Sequence, residues 1–416
     1  MPDSQPPSSS PPRAEVAPGK AGGLGTFGGV FTPSILTILG VIMYLRFGWV
    51  VGNVGLGGTL LIVTLSTAIT FFTALSIAAI ATDQRVRIGG ACYMISRSLG
   101  IEVGGAIGIP LFLAQGLSVA LYTVGFAESV VAVFPFLNEK AIGLTTTVGV
   151  ATLALTSART AIRAQYVIMG AIALSLLSLA FGSPVENTGP EMMAQAAHTP
   201  EGFWVVFAVF FPAVTGIMAG VNMSGDLENP GRSIPKGTFL AIGAGYLVYM
   251  TVPILLVRRA EVGALISDPL VMERMALWGP AILLGVWGAT LSSAVGSILG
   301  APRVLQALAR DGILPKRLRW IGVGSGPEET PRAGTLVTLG LALVAVWFGN
   351  LNVIAPVLTM FFLTTYGMLN VSAGIEKFLQ SPSFRPLFKV HWSLSLLGAA
   401  GCFFVMFLIN PTATIV

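Results

Sequence analysis

The sequence predicts an all-α polytopic membrane protein, on three observations. Charged residues are 10% of the 416, against roughly 25% in a soluble globular domain. Apolar residues make up 54% and the mean hydropathy is +0.82. Eleven apolar stretches meet or approach the roughly 20 residues a helix needs to cross a bilayer core. With 23 basic and 18 acidic side chains, the chain cannot wet the surface of a soluble protein of this size. The net charge of +5 is too sparse for a nucleic-acid surface, so the lipid bilayer is the expected partner and nucleic acid is not. Cys92 and Cys402 fall in or beside apolar segments and supply neither a disulfide framework nor a metal cluster.

Residues 1–26 are rich in Pro, Ser and Gly without apolar periodicity, which predicts a disordered tail. No apolar core follows a basic start, so this tail is not a signal peptide. The membrane domain is expected over 27–412, with spans near 31–52, 56–81, 98–134, 141–157, 163–182, 203–226, 237–257, 277–301, 332–349, 353–375 and 392–410. The third is long enough to be tilted or to extend past the bilayer. Residues 413–416 read as the truncated start of a twelfth helix.

Loop charge sets the orientation, because short loops carrying Arg and Lys tend to stay in the cytoplasm. Alternate loops are basic: Arg85, Arg87 and Arg97; Arg159 and Arg163; Arg232 and Lys236; Arg303, Arg310, Lys316, Arg317 and Arg319; Lys377, Arg385 and Lys389. The opposite phase includes 183–202, with Glu186, Glu191 and Glu201 and only His198 against them, and the mixed loop 258–276. The N-terminus is therefore expected in the cytoplasm of a multi-pass protein of the plasma (inner) membrane. The sequons at Asn222 and Asn370 fall at embedded or cytoplasmic positions and read as chance matches.

Two spans look breakable. The first runs Pro33-Ser34-Ile35-Leu36-Thr37-Ile38-Leu39-Gly40-Val41, and the sixth Phe211-Pro212-Ala213-Val214-Thr215-Gly216-Ile217-Met218-Ala219-Gly220. Each has a proline seven or eight residues before a glycine. Two readings fit this spacing: a kinked packing helix with glycine contacts, or an unwound stretch whose N–H groups meet an anion and whose C=O groups meet a cation. Breaks five spans apart suit a five-plus-five inverted repeat. No Asp, Glu, Lys or His falls at the centre of any span, where a charge costs several kcal/mol. That absence argues against proton coupling. Arg46 and Glu128, near the outer ends of spans 1 and 3, either pair as a gate or snorkel separately. Ser292 and Ser293 in span 8 either serve a hard cation or bond the carbonyl one turn back. Tyr122 and Tyr366 offer hydroxyls in spans 3 and 10.

Several stretches resemble the cation–chloride cotransporters of the amino acid–polyamine–organocation superfamily, in particular its sodium–potassium–chloride members. They are Gly40-Val41-Ile42-Met43-Tyr44-Leu45-Arg46, Gly89-Gly90-Ala91 to Gly100, Tyr122-Thr123-Val124-Gly125-Phe126-Ala127-Glu128, Phe210-Phe211-Pro212-Ala213 to Asp226, Ile234-Pro235-Lys236-Gly237, Leu291-Ser292-Ser293-Ala294 to Arg303, Asn352-Val353-Ile354-Ala355-Pro356 and Phe384-Arg385-Pro386. They run in order over about 28–412. The resemblance implies a five-plus-five inverted-repeat transporter fold with broken helices 1 and 6, plus helix 11, with helix 12 missing. It implies a symporter coupling Na⁺ and/or K⁺ to Cl⁻ by alternating access, electroneutral and without a cofactor.

By position, the resemblance implies a K⁺ site at Thr37, Ile38, Tyr122, Pro212 and Thr215, with Thr37 where the family usually has Asn. It implies a Na⁺ site at Leu36, Leu39, Ala289, Ser292 and Ser293. One Cl⁻ is expected at the N–H groups of Gly40, Val41 and Ile42. A second is expected at Gly216, Ile217 and Met218, with the Tyr366 hydroxyl. Arg46 and Glu128 are implied as the outer gate. Ile88 and Cys92 depart from the family's Gly and Tyr. The family's homodimer is an expectation weakened here by the absence of a large C-terminal domain. Two other readings stay open: an amino-acid or polyamine carrier on the same fold, and a non-transporting truncated homologue. The sequence carries no metal-ligand spacing, nucleophile elbow or phosphate loop, so an enzyme is not expected.

Overall fold

The structure, a computed structural model, describes residues 23–83, 92, 95–96, 99–156, 158–185, 199–325, 330–380 and 384–415. Arg85, Arg87, Gly89–Ala91, Arg97, Glu186, Glu191, His198, most of the 1–26 tail and the side chains of Arg159 and Arg163 lie outside this description. The described chain is helical; two isolated bridges, Leu24 with Leu227 and Ser325 with Thr330, are its extended pairings. Eight helical runs are long and apolar enough to cross a membrane, and the shorter Ala164–Ala180 and Arg332–Phe348 are apolar as well.

The first span is built in pieces: a π turn over Phe27–Phe31, then α1 (Thr32–Ile38) and α2 (Val41–Leu45). Pro33 has no N–H to donate and its ring crowds the carbonyl one turn back, so the preceding turn widens rather than breaking. The helix α3 (Phe47–Asp83) is interrupted by a kink at Gly55, whose φ of 68° only glycine adopts freely. That kink falls between the first two expected spans. Next come α4 (Ile101–Val133), α5 (Glu139–Thr156) and α6 (Ala158–Ala180). The sixth span is again divided: α7 (Phe203–Phe210), a 3₁₀ turn over Phe211–Val214, and α8 (Ile217–Asn222). Then follow α9 (Pro230–Arg259), the short α10 (Val262–Ser267) and α11 (Val271–Met275), α12 (Gly279–Arg310), α13 (Arg332–Phe348), α14 (Leu351–Phe378), α15 (Trp392–Ile409) and the brief α16 (Pro411–Ile415).

The 33 residues of α4 rise roughly 50 Å at about 1.5 Å each, more than the roughly 30 Å of a hydrocarbon core. It is the central post: α12, α14, α5 and α13 all pack on it. The broken α1 nests among α9, α12, α8 and α6. Large apolar side chains such as Leu61, Leu240, Leu247, Trp347, Phe348 and Phe404 point outward, a surface suited to lipid. Asn370 ties α14 to α3: its Oδ1 accepts from Ser76 at 2.6 Å and its Nδ2 donates to Thr73 at 2.9 Å. Asn370 and Asn222 are both buried, which fits their reading as non-acceptor sequons.

The expected disorder of residues 1–26 does not extend to its last four. Leu24 N–H donates to the Asp226 carbonyl at 2.8 Å, Glu228 N–H returns to the Leu24 carbonyl at 3.0 Å, and the Thr26 hydroxyl donates to Ser233 at 3.1 Å. Composition misses this because the partners lie some 200 residues away along the chain.

Candidate ion-binding site

The two interruptions meet. In the first, Leu39 (φ −82°, ψ 48°) and Gly40 (φ −102°, ψ −150°) leave helical space between α1 and α2. In the second, Pro212 sits in the 3₁₀ turn, and Thr215 and Gly216 lead into α8. Pro33 therefore does not mark the first break, whereas Pro212 lies at the second. A Cβ on Gly216 would come within 2.8 Å of the Ser34 carbonyl and 3.0 Å of the Ile38 nitrogen, so the broken helices cross backbone to backbone. The N-caps of α2 and α8, Gly40 and Gly216, have no side-chain cap. Val41, Ile42, Ile217 and Met218 in their first turns are buried. Uncapped helix starts present N–H groups and a partial positive potential, which suits an anion.

Carbonyls of the same breaks face the opposite need. Pro212 and Thr215 are buried beside each other, the Thr215 hydroxyl donating to the Pro212 carbonyl at 2.9 Å. The Thr37 hydroxyl donates to the Pro33 carbonyl at 2.9 Å, one turn back, which leaves its oxygen lone pairs as well as its backbone carbonyl to accept. Tyr122 on α4 is buried, 4% exposed. Tyr366 donates to the Thr215 carbonyl at 3.0 Å, which directs its proton toward the cation group rather than the anion group.

Ser293 on α12 meets the first span rather than a carbonyl of its own helix. Its Oγ lies 3.5 Å from the Leu36 carbonyl across the helix interface. Its neighbour Thr290 instead bonds back to Val286 at 2.7 Å. Two oxygens that far apart can share a hard cation with ligand distances of roughly 2.4 Å. Ala289 is fully buried and Leu39, just past α1, is buried, while Ser292 is half-buried. At the far end of α4, Arg46 and Glu128 form a two-pronged pair, Nη1 to Oε1 at 2.7 Å and Nη2 to Oε2 at 2.8 Å. Arg46 also donates to Asn352 Oδ1 at 2.8 Å and to the Leu45 carbonyl at 2.9 Å. Separate snorkelling is excluded by this geometry. Arg46 is the only buried charged side chain among the described residues.

Two participants escaped the sequence reading. The Tyr249 hydroxyl of α9 donates to the Ile38 carbonyl, occupying one lone pair of an expected cation ligand. Asn352 is the third member of the outer pair. Neither has a local signal: Tyr249 sits in an apolar run like any packing tyrosine, and Asn352 is 306 residues from Arg46.

The chain matches the amino acid permease family over residues 29–416. It belongs to that family. The permease is 35% identical to "Solute carrier family 12 member 1" of Mus musculus over 93% of its own length and 41% of the relative's. It is also 35% identical to "Solute carrier family 12 member 2" of Homo sapiens over 92% of this chain and 36% of the relative, and to the Squalus acanthias protein of the same description over 92% and 37%. The permease thus spans about two fifths of the length of the curated relatives it matches. This similarity across the whole membrane domain bears out the resemblance to the cation–chloride cotransporters. The chain is an integral, multi-pass membrane protein of that family.

Proposed function

We propose that this permease is a symporter that moves Na⁺ and K⁺ with Cl⁻ by alternating access around the crossed breaks of its first and sixth spans. The observation that carries this reading is the Ser293 hydroxyl facing the Leu36 carbonyl at 3.5 Å, where no back-bond within α12 competes for it. Na⁺ sits between Leu36, Leu39, Ala289, Ser292 and Ser293. K⁺ takes the Thr37, Ile38, Pro212 and Thr215 carbonyl region with the Tyr122 hydroxyl. One Cl⁻ meets Gly40, Val41 and Ile42; the other meets Gly216, Ile217 and Met218, and for that the Tyr366 hydroxyl must turn from Thr215. One Na⁺, one K⁺ and two Cl⁻ sum to zero, so no embedded carboxylate is needed and transport is electroneutral. The basic loops support an N-terminus in the cytoplasm and a plasma or inner membrane. An amino-acid substrate is disfavoured because the Ile38 side chain fills the space beside Gly216 and Gly245.

The test is radiotracer K⁺ uptake into proteoliposomes, with Na⁺ and Cl⁻ each omitted in turn. Uptake is expected to need both; indifference to Cl⁻ would sink the reading. Ser292→Ala together with Ser293→Ala is expected to abolish the Na⁺ stimulation while the protein still folds, since both methyl-sized side chains fit the same space. Persisting Na⁺ stimulation in that double variant would mean the α12 site is misassigned. Tyr122→Phe is expected to raise the K⁺ concentration for half-maximal uptake by about tenfold, the value of roughly 1.4 kcal/mol for one lost bond, with Na⁺ dependence less affected. Equal loss for both cations would contradict the assignment.

A further inference from the structure

We propose that Gln115 and Asn222 form the inner gate of this permease, the counterpart of Arg46–Glu128, with Arg303 as its latch. The inference rests on the transport reading above. Along α4, Tyr122 lies between Gln115, seven residues before it, and Glu128, six residues after it. At about 1.5 Å per residue each lies roughly 10 Å from the tyrosine. At each of these positions α4 is joined to the far half of an interrupted helix. Glu128 holds Arg46, the residue ending α2. Gln115 Oε1 accepts from Nδ2 of Asn222, the last residue of α8, at 3.0 Å. The crossed breaks and their candidate ions therefore lie between two closures made on one post.

The amide pair is built as a contact that opens. Gln115 is 4% exposed and Asn222 7%, yet Gln115 Nε2 and Asn222 Oδ1 have no partner. A permanent structural amide in this protein looks different: Asn370, also buried, has both its oxygen and its nitrogen bonded. Unmet donors and acceptors raise the energy of the closed arrangement, and water satisfies them once the two helices part. The pair is also uncharged, so when open it traps neither a passing cation nor an anion.

The third wall is α12. A Cβ on Gly300 would fall 2.5 Å from Gln115 Oε1 and 2.6 Å from Asn222 Nδ2, so only glycine lets α12 approach the pair without disturbing it. Arg303, three residues further along α12, donates through Nη1 to the Asn222 carbonyl at 3.3 Å and reaches Asp226 Oδ2 at 3.5 Å. Both side chains of that ion pair are more than a third exposed, and it is longer than the outer pair. Such a pair latches weakly and releases readily.

The experiment reads the gate without reading flux. Ser34→Cys, in a Cys92→Ser/Cys402→Ser background, places a thiol on buried α1 where it crosses α8, at a position whose hydroxyl has no partner. Its labelling by a membrane-impermeant, positively charged methanethiosulfonate is timed in sealed vesicles, with reagent on one face or the other. Gln115→Ala is expected to speed labelling at least fivefold from the face that carries Arg303 and to leave the rate from the Glu128 face unchanged. The swap Gln115→Asn/Asn222→Gln is expected to restore slow labelling. Gly300→Ala, which wedges the pair apart without deleting it, is expected to act like Gln115→Ala and serves if that variant is not recovered. No acceleration, or equal acceleration from both faces, overturns the proposal. If one-sided acceleration holds while uptake proves indifferent to Cl⁻, the ion assignment fails and the gate stands.

Discussion

Glu128→Gln is expected to lower the unfolding temperature of the solubilised protein substantially and to reduce uptake. The physical reason is the environment of its partner. The Arg46 and Glu128 side chains retain 10% and 20% of their exposure, so neither charge is well hydrated in the closed state. Removing one member of such a pair leaves the other buried and uncompensated, at a cost of about 3–5 kcal/mol. Asn352 and the Leu45 carbonyl remain to solvate Arg46 in part, so the loss should fall near the lower end. Glu128→Asp keeps the charge but shortens the reach, and should lose less. Size-exclusion thermal unfolding of the three proteins decides this: an unchanged midpoint for Glu128→Gln would mean that the pair does not hold the closed arrangement. Asn352→Ala should weaken the same pair, and its effect should not add to that of Glu128→Gln, because the two share Arg46.

Gly216→Ala is expected to abolish Na⁺- and Cl⁻-dependent K⁺ uptake, by more than tenfold, with only moderate loss of stability. The added Cβ meets the Ser34 carbonyl at 2.8 Å and the Ile38 nitrogen at 3.0 Å, both backbone atoms that cannot rotate away. The broken helices must then separate, and overpacking of this kind costs about 1–3 kcal/mol. A shift of a few tenths of an ångström is small for the fold but large for oxygens that must match an ion. Gly243→Ala is the matched control: a Cβ there meets nothing within 4 Å. It should leave uptake intact. Uptake by Gly216→Ala equal to that of Gly243→Ala would remove the crossing from the transport path.

Much of this protein was legible from single stretches. The apolar stretches fold as helices, eight of the described runs being long enough to cross a membrane, because twenty or so apolar residues in a row admit few other structures in lipid. The two breaks were legible because Gly40, Pro212 and Gly216 disfavour continued helix where they stand. Pro33 misled: near the start of α1 a proline removes a donor without ending the helix, and the chain absorbs it as a π turn. The 23–26 segment misled for the converse reason, since a polar, glycine-rich stretch can be ordered by a distant bridge.

The sequence by itself determined the solvent this chain lives in, its helical class, the two spans that could break and the absence of charge at mid-span. These follow from composition and from properties of each residue's own backbone and side chain. Only the tertiary structure decided which groups meet. It turned Ser293 toward Leu36 instead of its own helix, placed Tyr249 on the Ile38 carbonyl, joined Arg46 to Glu128 and Asn352, and set Asn222 against Gln115 beside Gly300. A hydroxyl or an amide is indifferent along the sequence to which of several carbonyls it bonds. The choice is made by close packing, which brings one partner within 3 Å or so and leaves the others out of reach.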